Sequence, residues 1–378
     1  MIEFNVKRAA ILTAFDPDVC KGGIETFIQN LKSLLTERNI NVDTHFIYPE
    51  PTLLVKPFPL RSLGKRIPEI LLNCFMLGRA FSKIEKDYDL VISNNFYGLG
   101  YFAPKVKSFN VYHSTHAGYA DALRGKIPDS DYRKLKYLFG YMGDSLSGRS
   151  KGKIAACQAV GDELRRYYKF RKVSVVHHSI DTAFFKKIDE TARLKKKWNI
   201  SPDDFVGIFV GRWEAGKGVD ILSEIIRMNQ DIIWILVTGP SCPESAMNNV
   251  RVMNDPDNII LRELYSLSDF MLFPSYYEGF GFVMIEAMAC ELPVICTQVG
   301  LIKDLLQFEA LRKLTLPIRS KQEMIGEILD RITLLKKAGN KKKEIIIIGR
   351  SVVEKEYSAD IWKSKIAVAL GLEITETL

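Results

Sequence analysis

Short apolar runs alternate with amphipathic stretches along this chain, and partway through the alternation starts again. "AAILTAF" (9–15) reads as a buried strand. Residues 22–39, "GGIETFIQNLKSLLTERN", put Ile24, Phe27, Ile28, Leu31, Leu34 and Leu35 on one helical stripe. "VDTHFIY" (42–48), "YDLVISN" (88–94), "SFNVYHS" (108–114), "KIAACQ" and "KVSVVHHS" (172–179) read as further strands. The rhythm restarts with "DFVGIFVGR" (204–212), "IIWILVTG" (232–239), "NIILR" (258–262), "DFMLFPS" (269–275) and "PVICTQ" (293–298). Strands separated by helices build parallel sheets covered on both faces, so this pattern predicts an α/β protein of two successive doubly wound units. A charged, weakly periodic stretch at 179–202 marks the seam. "KKKEIIIIGRSVVEKEY" fits either strand or helix, and 358–372 reads as a final helix.

A length of 378 residues is too great for one ordinary core and suits two domains. No apolar run reaches the roughly 18 to 20 residues that a spanning helix needs. The start, "MIEFNVKRAAILTAF", lacks the pattern of a secretory signal, and the six scattered cysteines lack metal-like spacing. Both features suit free thiols in a reducing cytoplasm. Residues 1–180 hold 27 Lys and Arg against 17 Asp and Glu, whereas the remainder hold 26 against 28. The basic half could attract nucleic acid, an anionic bilayer or an acidic small molecule. Nothing in it forms a nucleic-acid module, so no nucleic-acid partner is expected. Residues 56–84 mix Lys56, Arg61, Lys65, Arg66, Arg79 and Lys83 with Leu, Ile, Phe and Met. Such a segment either lies on an anionic membrane surface or is a core-facing helix with a solvated basic face.

The chemistry concentrates in "FMLFPSYYEGFGFVMIEAMACELPVICTQ" (270–298). It reads as strand, turn, glycine-containing loop and then a helix that begins near Gly281 or Phe282. Glu278 then lies beyond the carboxyl edge of a sheet, where open α/β sheets bind ligands. Backbone amides at a helix start favour an anion, and Gly279 and Gly281 let backbone approach closely. Glu286, one turn into the helix, reaches toward the same crevice. Phosphates for the amides and vicinal hydroxyls for the acids describe a nucleotide sugar. The alternative is that Glu278 caps the helix and Glu286 is a surface residue.

"FVGRWEAGKGVDIL" (209–222) sets Arg212 and Lys217 in a glycine-rich loop after a strand, which suits a diphosphate or, alternatively, a solvated turn. It is not a Walker loop, because Gly218 follows Lys217. Gly22 and Gly23 precede the first helix without a G-x-G-x-x-G pattern, so a dinucleotide cofactor is not indicated. His113 and His116 stand at a strand end with no third ligand in sight, which argues against a metal site. Each suits a hydrogen-bonding role or a structural one. His177 and His178 read mainly as linker structure.

These motifs, in this order over nearly the whole chain, resemble retaining nucleotide-sugar glycosyltransferases of family 4, with the GT-B fold. "EGFGFVMIEAMACELPVI" resembles the family's E-x7-E signature, "VGRWEAGKGVDIL" its phosphate loop, "KGGIETFIQNL" its first turn and "YHSTH" the strand end with its histidine. "VVHHSIDTAFF" resembles the interdomain segment, with His178-Ser179 where Asn-Gly is usual. The resemblance implies two Rossmann-like domains facing across a cleft: residues 1–180, joined by a returning C-terminal helix (358–378), and residues 181–357. It implies donor binding by Gly22, Gly23, Gly279, Phe280, Gly281, Phe282 and Glu286. It implies catalytic roles for His113, Arg212, Lys217 and Glu278. The cations would replace a metal, so no metal and no cofactor are expected. The implied reaction moves a hexose-type sugar from a nucleotide diphosphate sugar to a glycan or lipid-linked acceptor of the cell envelope. The enzyme would work in the cytoplasm, in peripheral contact with the anionic inner face of the membrane. A nucleotide-sugar epimerase, or a transferase to a soluble small molecule, is the alternative on the same fold.

Overall fold

The computed structural model describes residues 6–20, 22–53, 67–239, 242, 247–337 and 339–373. It divides into one unit of Met1–His178 with Lys363–Leu378, and a second of Ser179–Trp362.

In the first unit, strands β1 (Arg8–Leu12), β2 (Asn41–His45), β3 (Leu90–Asn94), β4 (Lys107–Tyr112), β5 (Gly152–Ala155) and β6 (Ser174–Val175) form one parallel sheet. Its order is β2-β1-β3-β4-β5-β6. Ala9 to Leu12 are fully buried, as a strand covered on both faces requires. The helix Gly23–Glu37 buries Phe27, Ile28, Leu31, Leu34 and Leu35, five of the six residues on the expected stripe. Ile24 is only partly covered.

The second unit contains β7 (Phe205–Val210), β8 (Ile232–Val237), β9 (Val250–Met253), β10 (Phe270–Phe273), β11 (Val294–Thr297) and β12 (Thr315–Leu316). The order is β12-β11-β10-β7-β8-β9, again all parallel. In both sheets the winding reverses beside the first strand, between β1 and β3 and between β7 and β10. At such a reversal the flanking loops diverge and leave a crevice at the carboxyl ends.

One expected strand is a helix. Residues 258–262 lie in the helix Asn258–Leu267, and β9 at Val250–Met253 takes the sheet position. The side chain of Asp257 caps the helix by accepting from the Ile260 N–H at 2.8 Å. Leu261, Leu264 and Tyr265 turn inward at helical spacing while Ile259 is 64% exposed. The ambiguous stretch is also helical, Gly339–Glu356, with Ile345, Gly349, Val352 and Val353 buried. The seam residues carry the helix Thr191–Lys197 and belong to the second unit, where Ile188 N–H donates to Ser266 Oγ at 3.0 Å.

The last helix, Ala359–Leu370, starts among residues of the second unit and ends among those of the first. Lys363 pairs with Glu37 at 2.7 Å, Lys107 Nζ donates to the Gly371 carbonyl at 3.1 Å, and Arg38 pairs with Glu373. Lys56, Arg61, Lys65 and Arg66 lie outside the described residues. Arg79 and Lys83 are exposed, on and just beyond the helix Glu69–Phe81. No helix among the described residues is long and apolar enough to cross a membrane.

Candidate active site

In the second unit, three loops leave the carboxyl ends of β7, β10 and β11 and bind one another. Tyr276 N–H donates to the Gly216 carbonyl at 2.9 Å, and Tyr276 OH donates to Asp220 at 3.0 Å. Thr297 Oγ1 donates to the Ser275 carbonyl at 2.5 Å. Gly218 adopts φ +69°, and a Cβ there would lie 2.1 Å from the Pro274 carbonyl oxygen. Only glycine allows both that backbone and that approach.

This packing brings Lys217 and Glu278 together. Lys217 Nζ lies 2.6 Å from Glu278 Oε1, with the side chains 19% and 9% exposed, and 5.6 Å from the centre of the Phe273 ring. Each charge offsets the other's loss of water. A phosphate that draws on Lys217 would free Glu278 to accept from hydroxyls. Arg212 does not join the pair. Its side chain is 81% exposed and bonds Glu214 at 3.0 Å.

Gly281, at φ +97°, precedes the helix Phe282–Ala289, with Phe280 buried and its ring 5.1 Å from that of Phe282. Glu286 follows one turn later. It keeps a path to solvent but is surrounded at depth by protein, and burial lifts its acid to about 7 against the downward pull of one hydrogen bond. That bond comes from the buried Tyr265 OH, at 3.1 Å. Tyr265 was not anticipated, because it sits on the helix that the sequence reading took for a strand. Its place three and four residues after Arg262 and Leu261 would have marked it as inward-facing had the helix been recognised.

In the first unit, the helix after Gly22 and Gly23 touches the end of β4 through Phe27. Its ring centre lies 4.9 Å from that of His113 and 5.1 Å from that of His178. His113 receives three polar contacts. Its N–H donates to Asn95 Oδ1 at 2.9 Å, Nε2 lies 2.8 Å from Asn94 Oδ1, and Nδ1 lies 2.9 Å from His178 Nε2. A carbonyl oxygen only accepts, so Nε2 of His113 carries the proton and Nδ1 accepts from His178. Burial pushes His113 down to about 3, and His178 falls well below its ordinary value for the same reason. Both rings are therefore neutral near pH 7. His178, read from sequence as linker, is part of the histidine's support. Gly22 and Gly23 are exposed at the helix start. Among the described residues no group of three or more His, Cys, Asp or Glu could hold a metal ion.

Two family profiles match the chain. Residues 21–184 match Glycosyltransferase Family 4, and residues 204–334 match Glycosyl transferases group 1. A D-inositol 3-phosphate glycosyltransferase of Segniliparus rotundus is 30% identical over 41% of this chain. A Bacillus subtilis protein named "Putative teichuronic acid biosynthesis glycosyltransferase" is 30% identical over 40% of it. The chain spans 38% and 40% of the lengths of these two relatives. Among solved structures, sucrose-phosphate synthase from Thermosynechococcus elongatus superposes with a TM-score of 0.73 at 19% identity, over 96% of this chain and 98% of that one. With a profile of the same group on each doubly wound unit, and a solved relative of the fold matching end to end, the chain belongs to the group 1, family 4 glycosyltransferases and has the GT-B fold.

Proposed function

We propose that this protein transfers a hexose-type sugar, with retention of configuration, from a nucleotide diphosphate sugar to an acceptor hydroxyl. The observation that carries this reading is the Lys217–Glu278 pair at the β7–β10 reversal, with Glu286 one helical turn beyond. Glu286 accepts hydrogen bonds from the ribose hydroxyls, and Glu278 accepts them from the sugar. Lys217, Arg212 and the amides of Gly279 to Phe282 meet the pyrophosphate, and Gly22 and Gly23 take part in donor binding. His113 contributes as a neutral ring. The bond from the sugar's anomeric carbon to the phosphate oxygen breaks as the bond to the acceptor oxygen forms, and the acceptor's proton passes to the departing phosphate. Two cations meet the charge that develops there, so the reaction runs without a metal.

The acceptor is a lipid-linked or envelope glycan, met at the cytoplasmic face of an anionic membrane. The basic balance of residues 1–180 and the teichuronic acid role in the name of one relative support this. A soluble acceptor is the second reading, favoured by the D-inositol 3-phosphate enzyme among the relatives.

The test is thermal denaturation with UDP-, GDP- and ADP-sugars. One nucleotide class should raise the melting temperature of the wild type. Glu286→Ala should abolish the shift, and Lys217→Ala should slow sugar transfer by about 10² to 10³, the range for losing one transition-state donor. No shift with any donor, or wild-type behaviour in both variants, refutes the assignment.

A further inference from the structure

We propose that His116, held by Asp144, accepts a hydrogen bond from a ring hydroxyl of a sugar acceptor, other than the attacking one, in the first unit. This rests on the transfer reading above. Of the two histidines after β4, His113 has both ring nitrogens engaged. His116 is arranged differently. Its backbone N–H donates to Asp144 Oδ2 at 2.9 Å, and its ring Nδ1 lies 3.1 Å from the same oxygen. Tyr168 OH donates to that carboxylate at 2.8 Å. Asp144 is wholly buried, whereas the His116 side chain is 21% exposed.

A carboxylate acceptor keeps the proton on Nδ1. That directs the lone pair of Nε2 outward, and Nε2 makes no hydrogen bond among the described residues. The rings of Phe96 and Phe139, centred 5.2 and 5.3 Å away, hold the imidazole in place. A partly open imidazole oriented from behind by a buried acid is the arrangement that accepts a hydrogen bond from a hydroxyl. It stands at the carboxyl end of a parallel sheet, where ligands of such sheets bind.

The element that supplies Asp144 points the same way. Lys134–Asp144 is an eleven-residue π-helix. This wide form is rare, usually one turn long and concentrated at functional sites. It crosses the helix His116–Ala122 closely, since a Cβ on Gly140 would lie 3.0 Å from the Ala117 nitrogen. It also presents Tyr137 and Tyr141, 53% and 40% exposed, with ring centres 5.9 Å apart and planes at 24°. Tyr141 meets the ring of Tyr168 edge-on at 6.1 Å. An aromatic face therefore adjoins a hydrogen-bonding nitrogen. A pyranose, with an apolar C–H face and a hydroxyl rim, suits that combination.

The experiment uses the full chain, the nucleotide sugar that shifts its melting temperature, and the octyl glycosides of glucose, galactose, mannose and N-acetylglucosamine as acceptor probes. Release of nucleoside diphosphate is followed with and without glycoside. At least one glycoside should accelerate release by the wild type. His116→Ala should then raise the KM for that glycoside at least tenfold, leaving nucleotide affinity and glycoside-free release unchanged. Tyr141→Ala, at an exposed position, should raise the same KM several-fold and keeps the test decisive if the first variant does not fold. Wild-type KM in a folded variant of either kind, or a nucleotide-binding wild type that no glycoside accelerates, overturns the proposal. Failure of the wild type to bind any nucleotide sugar defeats the transfer reading itself and the proposal with it.

Discussion

At Glu286, burial and the proposed nucleotide ligand would pull in opposite directions. Burial favours the neutral acid and lifts it from 4.5 to about 7, whereas accepting hydrogen bonds from two ribose hydroxyls favours the carboxylate. Between these values the folded state holds the proton more tightly than the unfolded chain. This group's contribution to stability is thus greatest below 4.5 and declines as pH rises through 7. Nucleotide binding runs the other way. Affinity for a nucleoside diphosphate should rise as pH increases from about 6 to 8, measured by calorimetry. Glu286→Gln should flatten the profile. Tyr265→Phe removes a bond that favours the charged form, so its midpoint should move to higher pH. A wild-type affinity independent of pH would show that Glu286 does not receive the ribose. Glu278, Lys217 and Glu286 were legible in sequence because each follows a strand end within a short loop or one helical turn. Tyr265, 21 residues before its partner Glu286, carried no such local mark.

Among the elements, the loops after β7 and β10 depend on a single approach of backbone to backbone. Gly218→Ala forces an unfavourable φ and a contact with the Pro274 carbonyl that neither chain can relieve locally. The variant should lose about 1 to 3 kcal/mol of stability in urea unfolding. It should also bind nucleotide more weakly, because moving this turn moves Lys217 away from Glu278. Unchanged stability would mean that the two loops adjust independently. Most strands were readable as continuous apolar runs, as expected for parallel sheets buried on both faces. "NIILR" failed by the same rule: a short apolar run does not reveal its period, and the cap at Asp257 decided for helix. The partnerships of His113 with His178 and of His116 with Asp144 span 65 and 28 residues, and only the folded sheet brings them together.

Across the whole molecule, two sheets with separate cores share one terminal helix. Ile366 and Leu370 are 1% and 0% exposed, and burial of each such side chain stabilises by about 1.5 to 3 kcal/mol. Deleting residues 363–378 should therefore destabilise the first unit by at least about 3 kcal/mol in urea unfolding. The nucleotide-dependent melting shift expected of the second unit should survive. Equal loss in both units would contradict the assignment of this segment. The double winding was legible from the restart of the strand pattern, whereas the residues that tie the last helix to Glu37 and Lys107 were not, because an ion pair or hydrogen bond between distant segments leaves no periodicity.

That shared helix also imposes an order on synthesis. Domains generally fold as units while the chain emerges, at roughly 5 to 20 residues per second. The second unit has all of its sequence once Trp362 has left the ribosome, but the first waits through the making of the other before residues 363–378 arrive. For that interval its unfinished surface lies open to chaperones, and a message truncated before the codons for 363–378 leaves the earlier-made unit incomplete.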